Sequence, residues 1–496
     1  MTLEREFLES LQRYLKEDRT NAHRVLHRLQ DFGKQLLLRD EVHDAFTRLC
    51  MSDSGECLAG TPLERMVQAT QEAVVDADWL YVALRVRVGR WSYLRLHGNT
   101  MSVEEIPVSQ FLYIKERLVD GRQDATEHLL EIDLEPFLRG FPKMHETRSI
   151  GRGVEFLNRR LSSQLFEDSG KGSRLLLDFL RVHRYQQQTL MLNEAVDDVG
   201  ALRTALRRAN ELLLSVPADT PWEELEPRLR ALGFEPGWGK DAARIRGYMD
   251  LLLDILEAPS PSGLEQFLQN IPMIFSIAIL SPHGWFGQSD VLGRPDTGGQ
   301  VVYILDQVRA LERAMHNSLR EQGLDIDPRI LVVTRLIPEA EGTTCDQRIE
   351  PIAGTRNARI LRVPFLDPTG QVVPHWMSRF EVWPYLERFS YEVEREILVE
   401  LGGRPDFIIG NYSDGNLVAS LLSQRLGVTQ CNIAHALEKT KYLYSDLYWR
   451  ENDEHYHFSC QFTADLIAMN TADFIIASTY QEIAGTDDSA GPVSYT

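Results

Sequence analysis

Hydrophobic residues follow different patterns along the chain, and each pattern predicts a different kind of structure. In the first fifty residues apolar side chains recur every three or four positions, as at Phe7, Leu8, Leu11 and Leu15, which predicts amphipathic helices. From residue 79 the stretch "WLYVALRVRVGRWSYLRL" alternates apolar and polar residues on both sides of Gly89, which predicts a β-hairpin. The chain is therefore expected to begin with an α+β module.

A helical pattern occupies the middle of the chain. It runs from about residue 157 to residue 256, with breaks at Pro217, Pro221 and Pro236. The stretch "APSPSG" at residues 258–263 then predicts a connection to a third region. The predicted domains are an α+β domain at 1–125, a linker at 126–150, a helical domain at 151–265 and an α/β domain at 271–496.

The third region contains short apolar runs, most of them separated by segments of helix length. Such alternation is typical of a doubly wound, mostly parallel sheet with helices on both faces. The predicted strands are Met273–Leu280, Arg329–Leu336, Ala358–Leu366, Asp406–Asn411, Cys431–Ala436 and Asp473–Ser478.

Composition and charge narrow the possible functions. Hydrophobic residues at 43% and charged residues at 25% are typical of a folded globular chain. A net charge of −20 opposes binding to nucleic acid, which is not expected as a partner. Five scattered cysteines suggest no disulfide framework, and neither a signal peptide nor a membrane-spanning run is evident, so we expect a cytoplasmic protein.

A pair of glycines follows the first predicted strand of the third region. Asp296 to Gly299 are expected to form a loop before a helix at 300–314, and bare amides at a helix start can bind an anion or a hydroxyl. In doubly wound sheets, ligands bind at this end of the strands. The alternative is a tight strand-to-helix turn without a ligand, which a lone glycine pair forms more often.

Polar residues also follow two later strands. In "IAHALEKTKY", His435 can donate a hydrogen bond to a substrate hydroxyl and Lys441 can bind a hydroxyl or phosphate; alternatively the histidine is buried and satisfied and the lysines are solvated. In "GNYSDGN", Ser413 or Asp414 is predicted to cap a helix.

Two further patterns do not predict sites. His455, His457 and Cys460 lack a fourth ligand nearby and lie within a predicted helix, so no metal is expected. Glu392 and Glu400 have a Glu-x7-Glu spacing, but they lie on a charged helix and are expected to be solvated.

Taken together, these motifs resemble the sucrose synthase family closely. The resemblance rests on the order and spacing of "SPHGWFGQSDVLGRPDTGGQVVYILDQVRALE", "SRFEVWPYLE", "IAHALEKTKY", "SDLYWR" and "YHFSCQFTADLIAMNTADFIIASTYQEIAG". It implies a GT-B fold in which the α/β region is the N-terminal, fructose-side Rossmann-like domain. The preceding α+β module would be a targeting or regulatory domain.

The resemblance also implies a reaction and its residues. Family members are retaining glycosyltransferases that interconvert sucrose plus a nucleoside diphosphate with NDP-glucose plus fructose. No metal or resident cofactor is implied, UDP or ADP is the co-substrate, and the family is commonly tetrameric. The implied catalytic residue is His435, against the transferred glucose. The implied substrate-binding residues are His283, Gly298, Gly299, Gln300, Arg379 and Lys441.

The resemblance covers only the first catalytic half of the family. The chain ends at Thr496, without the context of the second Rossmann-like domain that holds the nucleotide, so it is expected to be inactive alone. Two alternatives remain open: a non-catalytic scaffold or oligomerisation fragment, and a transferase like sucrose-phosphate synthase.

Overall fold

The computed structural model describes residues 3–50, 58, 60–87, 90–107, 110–111, 113–115, 169–258, 261–435 and 449–477. The chain forms two compact units. The first unit comprises Met1–Ile150, Phe380–Ser390 and Gly410–Thr496, and the second comprises Gly151–Arg379 and Tyr391–Ile409.

The N-terminal module, in the first unit, combines helices with an antiparallel sheet. Its helices are α1 (Leu3–Glu17), α2 (Arg19–Gln30), α3 (Arg39–Cys50) and α4 (Pro62–Ala69). Its strands, in their order across the sheet, are β1 (Leu36–Leu38), β2 (Thr70–Asp76), β3 (Trp79–Arg87), β4 (Arg90–His97) and β5 (Val103–Ile106).

Local chemistry accounts for these elements. Asp18 and Thr61 cap α2 and α4, because their side chains accept the amides of Asn21 and Glu64. The predicted hairpin is β3 paired with β4, and the two residues between these strands, 88 and 89, lie outside the described residues. Apolar faces of the helices and the sheet share one buried core that includes Leu11, Leu15, Leu26, Leu80 and Leu96. The α+β prediction is confirmed.

The helical module lies in the second unit. Its helices are α5 (Ser169–Arg181), α6 (Val199–Leu214), α7 (Trp222–Ala231), α8 (Ala242–Glu257) and α9 (Pro261–Gln269). A short hairpin joins β6 (Arg184–Tyr185) to β7 (Gln188–Thr189).

Prolines lie at some of the ends of these helices, although Pro227 is inside α7. Helix α6 ends three residues before Pro217, and α7 begins directly after Pro221, as predicted. The stretch "APSPSG" is not a loop throughout, because α9 begins at Pro261. Proline is well tolerated at the first position of a helix, where its absent amide proton is not needed.

The α/β region contains one seven-stranded sheet. Its strands are β8 (Ser276–Leu280), β9 (Arg329–Leu336), β10 (Ile349–Pro351), β11 (Ala358–Pro364), β12 (Phe407–Asn411), β13 (Thr429–Ala434) and β14 (Phe474–Ala477). Its helices are α10 (Gly298–Glu321), α11 (Trp383–Leu401), α12 (Tyr412–Leu426), α13 (Trp449–Tyr456) and α14 (Phe458–Thr471). The strand order is β10-β11-β9-β8-β12-β13-β14.

The pairing of these strands confirms the predicted mostly parallel sheet. Strand β9 runs parallel to both β8 and β11, and β13 runs parallel to β14. Each of the six predicted runs contains most or all of a strand. Strand β10 was not predicted; it is three residues long and pairs antiparallel with β11.

Two helices begin earlier than the sequence predicted. Helix α10 starts at Gly298, so both glycines belong to its first turn rather than to a loop. Helix α12 starts at Tyr412, so Ser413 and Asp414 lie inside its first turn and are buried, and the prediction that one of them caps the helix was wrong. The residue at the cap position is Asn411.

Within the described ranges, no helix combines the length and the apolar character needed to cross a bilayer.

Candidate functional site

The segment that follows β8 is held against the first turn of α10. The Ser281 amide donates to the Val333 carbonyl oxygen at 3.0 Å, which extends the sheet contact by one residue. The Gln300 side-chain amide donates to the Ser281 hydroxyl, and both residues are buried. Gln300 therefore ties the glycine turn to the end of β8.

Gly284 and Asp296 lie in direct backbone contact. Gly284 has φ +78°, and a Cβ at this position would lie 2.1 Å from the Asp296 carbonyl oxygen. Only glycine allows this approach. Asp296 itself adopts φ +54°, and its Oδ2 accepts the Arg379 amide at 2.9 Å. These contacts bring Arg379 and the loop carrying the buried His283 to the glycine turn.

The first turn of α10 presents backbone amides without a side-chain cap. Thr297 occupies the cap position but makes no cap hydrogen bond; its hydroxyl accepts the Trp285 amide at 3.4 Å and donates to the Pro295 carbonyl at 3.0 Å. Gly298 and Gly299 are exposed, and a Cβ on either would meet no described atom within 4 Å. Uncapped amides at a helix start bind anions and hydroxyl oxygens, favoured by the helix dipole.

Charged side chains outside the turn fix the same segment. The Arg294 guanidinium lies 4.6 Å from the centre of the Trp285 ring and forms a 2.9 Å ion pair with Glu341. A cation over an indole face is favourable, so the loop is braced from its outer side.

A buried ion pair supports the residues after Trp285. The Arg362 guanidinium, 1% exposed, donates to the Phe286 carbonyl at 2.8 Å and pairs with Glu350. Burial alone would raise the pKa of Glu350, but hydrogen bonds from Arg362, Gln288 and Thr344 outweigh it and hold that pKa below its usual value. Glu350 is therefore the counter-charge that Arg362 needs in this interior.

His435 lies in the first unit, directly after β13. Its Nε2 is 2.8 Å from the Asn411 Oδ1, and its ring is stacked on Tyr412 with the centroids 4.4 Å apart and the planes inclined by 17°. Asn411 and Tyr412 belong to the "GNYSDGN" segment, for which the sequence predicted only a helix cap at Ser413 or Asp414. The signal for a functional role was present, because this segment and "IAHA" both follow strands of one parallel sheet.

The structure thus places the predicted site residues in two groups. His283, Gly298, Gly299, Gln300 and Arg379 are assembled in the second unit around the β8 end. His435 is held in the first unit by its own neighbours. Lys441 lies outside the described residues.

The residues that were not predicted to form a site have structural roles in the fold. His457 separates α13 from α14 with φ +52°, Cys460 is buried, and no metal-binding group of three or more ligands occurs in the described part of the chain. Glu392 and Glu400, predicted to be solvated, are half-buried and ion-paired with Arg395 and Arg348.

Comparison with protein families matches nearly the whole chain to three consecutive models. Residues 4–116 match the sucrose synthase N-terminal model, residues 152–240 the sucrose synthase EPBD domain, and residues 262–495 the sucrose synthase first GT-B domain. The chain belongs to the sucrose synthase family. The resemblance and the GT-B α/β fold predicted from its motifs are confirmed.

Individual members of the sucrose synthase family are similar over long alignments. Sucrose synthase of Nitrosomonas europaea is 53% identical over 484 residues, which are 98% of this chain and 60% of the relative. Sucrose synthase 1 of Zea mays is 54% identical over 92% of this chain and 56% of the relative. Sucrose synthase of Acidithiobacillus caldus is 55% identical over 87% of this chain and 54% of the relative. The chain therefore spans little more than half the length of these sucrose synthases.

Among solved structures, sucrose-phosphate synthase from Thermosynechococcus elongatus aligns with 42% of this chain and 43% of its own, at 21% identity and a TM-score of 0.31. A likeness at this level carries no argument.

Proposed function

We propose that this chain supplies the fructose side of a sucrose synthase reaction, in which glucose is transferred with retention between sucrose and a nucleoside diphosphate. The observation that carries the proposal is the uncapped, exposed first turn of α10, which Gln300 ties to Ser281 at the end of β8 and beside which Asp296 holds Arg379. Family membership supplies the reaction, and this geometry supplies a surface suited to it.

The proposed roles of the glycine amides, Arg379 and Lys441 follow from the hydrogen-bond donors that they offer. The amides of Gly298 and Gly299 bind sugar hydroxyl or diphosphate oxygens, and Arg379 and Lys441 orient the hydroxyls of fructose. His435 is assigned to the transferred glucose. Catalysis then consists of positioning and charge stabilisation, with the leaving diphosphate accepting the acceptor's proton.

The co-substrate is UDP or ADP, and the residues that bind its nucleoside are proposed to lie outside this chain. The 496-residue chain alone is accordingly expected to release no NDP-glucose from sucrose. A chimera that joins it to the remaining part of the Nitrosomonas europaea sucrose synthase is expected to do so. Release of NDP-glucose from sucrose by a chain whose intact mass is 56.8 kDa would contradict this proposal.

Gly299→Ala tests the role of the glycine turn directly. Its φ lies outside the left-handed region and the added methyl group meets no described atom within 4 Å, so the free energy of unfolding should stay within about 1 kcal/mol of the parent chain or rise. The methyl group would nevertheless cover the amide face. Titration calorimetry with sucrose and with fructose should therefore show affinity reduced by about tenfold or more, the loss of one to two hydrogen bonds.

Gly247→Ala is the matched control. Gly247 is also an exposed helical glycine whose Cβ would meet nothing within 4 Å, but it lies in α8. This variant should bind sugars like the parent chain. If Gly299→Ala also binds sugars like the parent, the glycine turn is not the sugar site.

The same experiments distinguish the alternative functions. Equal turnover of fructose and fructose 6-phosphate in the chimera would favour a transferase like sucrose-phosphate synthase. Absence of sugar binding by the folded chain, together with self-association, would favour a scaffold. We propose a homo-tetramer, following the family, and light scattering of the purified chain tests it.

A cytoplasmic location is proposed from the cysteines. Cys345, Cys431 and Cys460 are buried as free thiols, which suits a reducing compartment. Burial, aided by the Asp473 charge, raises the pKa of Cys431 to about 12, so this thiol is unreactive at neutral pH. Fractionation of cells that produce the protein tests the location.

A further inference from the structure

Asn411 occupies a helix cap position without acting as a cap. It ends β12 with an extended backbone, φ −128° and ψ 132°, immediately before α12. Asparagine is among the best cap residues, yet this side chain makes no cap hydrogen bond. The side chain is fully buried, and its Oδ1 lies 2.8 Å from Nε2 of His435. Its hydrogen-bonding capacity is directed to the imidazole rather than to the helix.

Tyr412 is held in a conformation that is unfavourable for a bulky residue. Its φ is +59°, in the left-handed region that glycine and asparagine adopt far more readily. In this conformation its ring is stacked on His435 at 4.4 Å. Backbone strain of this kind persists where surrounding contacts enforce it, and it is concentrated at functional sites.

The segment that carries both residues is anchored to the strand that carries His435. The Asn416 side-chain amide in α12 donates to the carbonyl of Ile433, two residues before His435, at 3.2 Å. A Cβ at Gly410 would lie 2.6 Å from the Asn416 Cα, so β12 and α12 meet closely only because this residue is glycine. Asn411 therefore approaches His435 from a fixed backbone.

Two buried side chains of β13 form a second anchor by donating hydrogen bonds to neighbouring helices. The Gln430 amide donates to the Ser420 hydroxyl of α12 at 3.0 Å, and the Asn432 amide donates to the Ala468 carbonyl of α14 at 2.7 Å. Gln430 and Asn432 are at most 1% exposed. Fully hydrogen-bonded networks in a dry interior specify one arrangement, which here sets the register of the strand before His435.

We propose that Asn411 and Tyr412 are positioning residues for His435: the Asn411 carbonyl oxygen holds the imidazole proton on Nε2, and the Tyr412 ring fixes the imidazole plane. A carbonyl oxygen only accepts, so Nε2 must carry the proton. When the ring is neutral, its other nitrogen, Nδ1, is then an acceptor, whereas the sequence predicted that His435 donates to a substrate hydroxyl. The position of the His435 proton is a property of the chain without sugar. The role of His435 in sugar binding rests on the proposed function.

The test compares substitutions that separate capping from positioning. Serine caps helices as well as asparagine does, but its side chain is too short to reach the ring. Aspartate has the shape of asparagine and keeps an acceptor against Nε2. Asn411→Ser and Asn411→Asp would be made in the full chain, with Tyr412→Phe as the variant that keeps the stacking surface. Ring 15N shifts of labelled histidine are measured, with the His435 signals assigned by their loss in His435→Gln.

The expected results follow from these roles. The parent chain and Tyr412→Phe should show the pattern of a neutral ring protonated at Nε2. Asn411→Asp should keep a defined pattern, shifted toward the imidazolium form, because a carboxylate stabilises the charged ring. Asn411→Ser should give the averaged shifts of an unanchored ring, and its affinity for sucrose should fall by about tenfold, the effect of one lost hydrogen bond.

Two outcomes would overturn the inference. One is an Nδ1-protonated ring in the parent chain. The other is Asn411→Ser with parent-like ring shifts, which would make Asn411 a structural residue only. Because the shifts are recorded without sugar, they decide the inference even if the parent chain binds no sucrose; the latter result would count against the proposed function instead.

Discussion

At the scale of single residues, each of the two parts of the candidate site contains a non-glycine residue with left-handed backbone, as several other described parts of the chain also do. Asp296 has φ +54° and Tyr412 has φ +59°, and each is tied to a predicted site residue, Arg379 and His435 respectively. Such conformations cost about 1 to 3 kcal/mol each, so they persist only where other contacts enforce them. The conformational cost therefore falls at Asp296, which positions the Arg379 amide, and at Tyr412, which positions the His435 ring.

His183, in the helical module, is expected to make the stability of the chain depend on pH. Its ring packs edge-on against Phe179 at 4.6 Å, and among the described residues its Nε2 has no hydrogen-bond partner. Burial lowers the pKa of His183 from 6.5 to about 4. The unfolded chain takes up this proton near pH 6.5 and the folded chain only near pH 4. The free energy of unfolding should therefore fall by about 2 to 3 kcal/mol as pH decreases across that interval.

Urea unfolding at pH 7 and pH 5 measures this effect. His183→Leu should flatten the dependence on pH, because the titrating group is gone. His375→Leu, which removes an exposed ring, should leave the dependence close to that of the parent. Equal slopes for the parent chain and His183→Leu would contradict the assignment.

At the scale of elements, α10 is held to the sheet at a point well beyond the glycine turn. The Glu312 carboxylate, 6% exposed, accepts the amides of Arg356, Asn357 and Ala358 at 2.9, 2.7 and 3.1 Å. These residues lead into β11. One side chain thus satisfies the amides at the start of a strand and fixes where the helix lies along it.

Substitution of Glu312 should destabilise the chain in proportion to the acceptors that are lost. Glu312→Ala leaves three amides without their acceptor and should lower the free energy of unfolding by about 2 to 4 kcal/mol, while Glu312→Gln keeps one oxygen and should cost less. Denaturant unfolding measures both. Glu257→Ala is the control, since Glu257 is 49% exposed and pairs with Arg207 at the surface. A loss no larger than that of the control would show that this anchor is not important.

At the scale of the whole molecule, one buried lysine joins distant parts of the chain within the first unit. Lys115, 5% exposed, lies 3.0 Å from the Glu72 carboxylate in β2 and donates to Asn470 Oδ1 in α14 at 2.6 Å. Burial, aided by the Glu72 charge, raises the pKa of the neighbouring Tyr93. Lys115 therefore links the N-terminal sheet to the last described helix through its contact with Asn470, which lies 355 residues away in sequence.

Replacement of Lys115 tests how much its ion pair with Glu72 contributes to stability. Lys115→Met leaves Glu72, whose side chain is 13% exposed, without its counter-ion and should lower the free energy of unfolding by about 3 kcal/mol. Lys115→Met combined with Glu72→Leu should recover most of the loss, because neither charge then remains. Thermal and urea unfolding measure the cycle. Lys34→Met removes an exposed lysine of the Lys34–Glu41 pair and should change little. Failure of the double variant to recover stability would mean that packing, rather than charge, dominates here.

The strands of the α/β region could be predicted because buried strands appear in the sequence as short runs of mostly apolar residues. Strand β9 occupies all of the predicted run Arg329–Leu336, and six of its residues are buried. A parallel strand covered on both faces must be almost continuously apolar, and a sequence shows that directly. Strand β10 escaped prediction because three residues carry too little pattern.

The modules, the sheet and the family could be predicted from the amino-acid sequence, since these depend on periodic burial and on the order of the motifs. Three features could be seen only in the folded chain: where α10 and α12 begin, the close approach of the Asp296 carbonyl to Gly284, and the contact of the Asn411 side chain with His435 instead of with its own helix. The physical reason is that local propensity ranks asparagine as a cap and tyrosine as a poor left-handed residue. The contacts that override these preferences join Asn411 and Tyr412 to His435, 24 and 23 positions later, and folding alone brings them together.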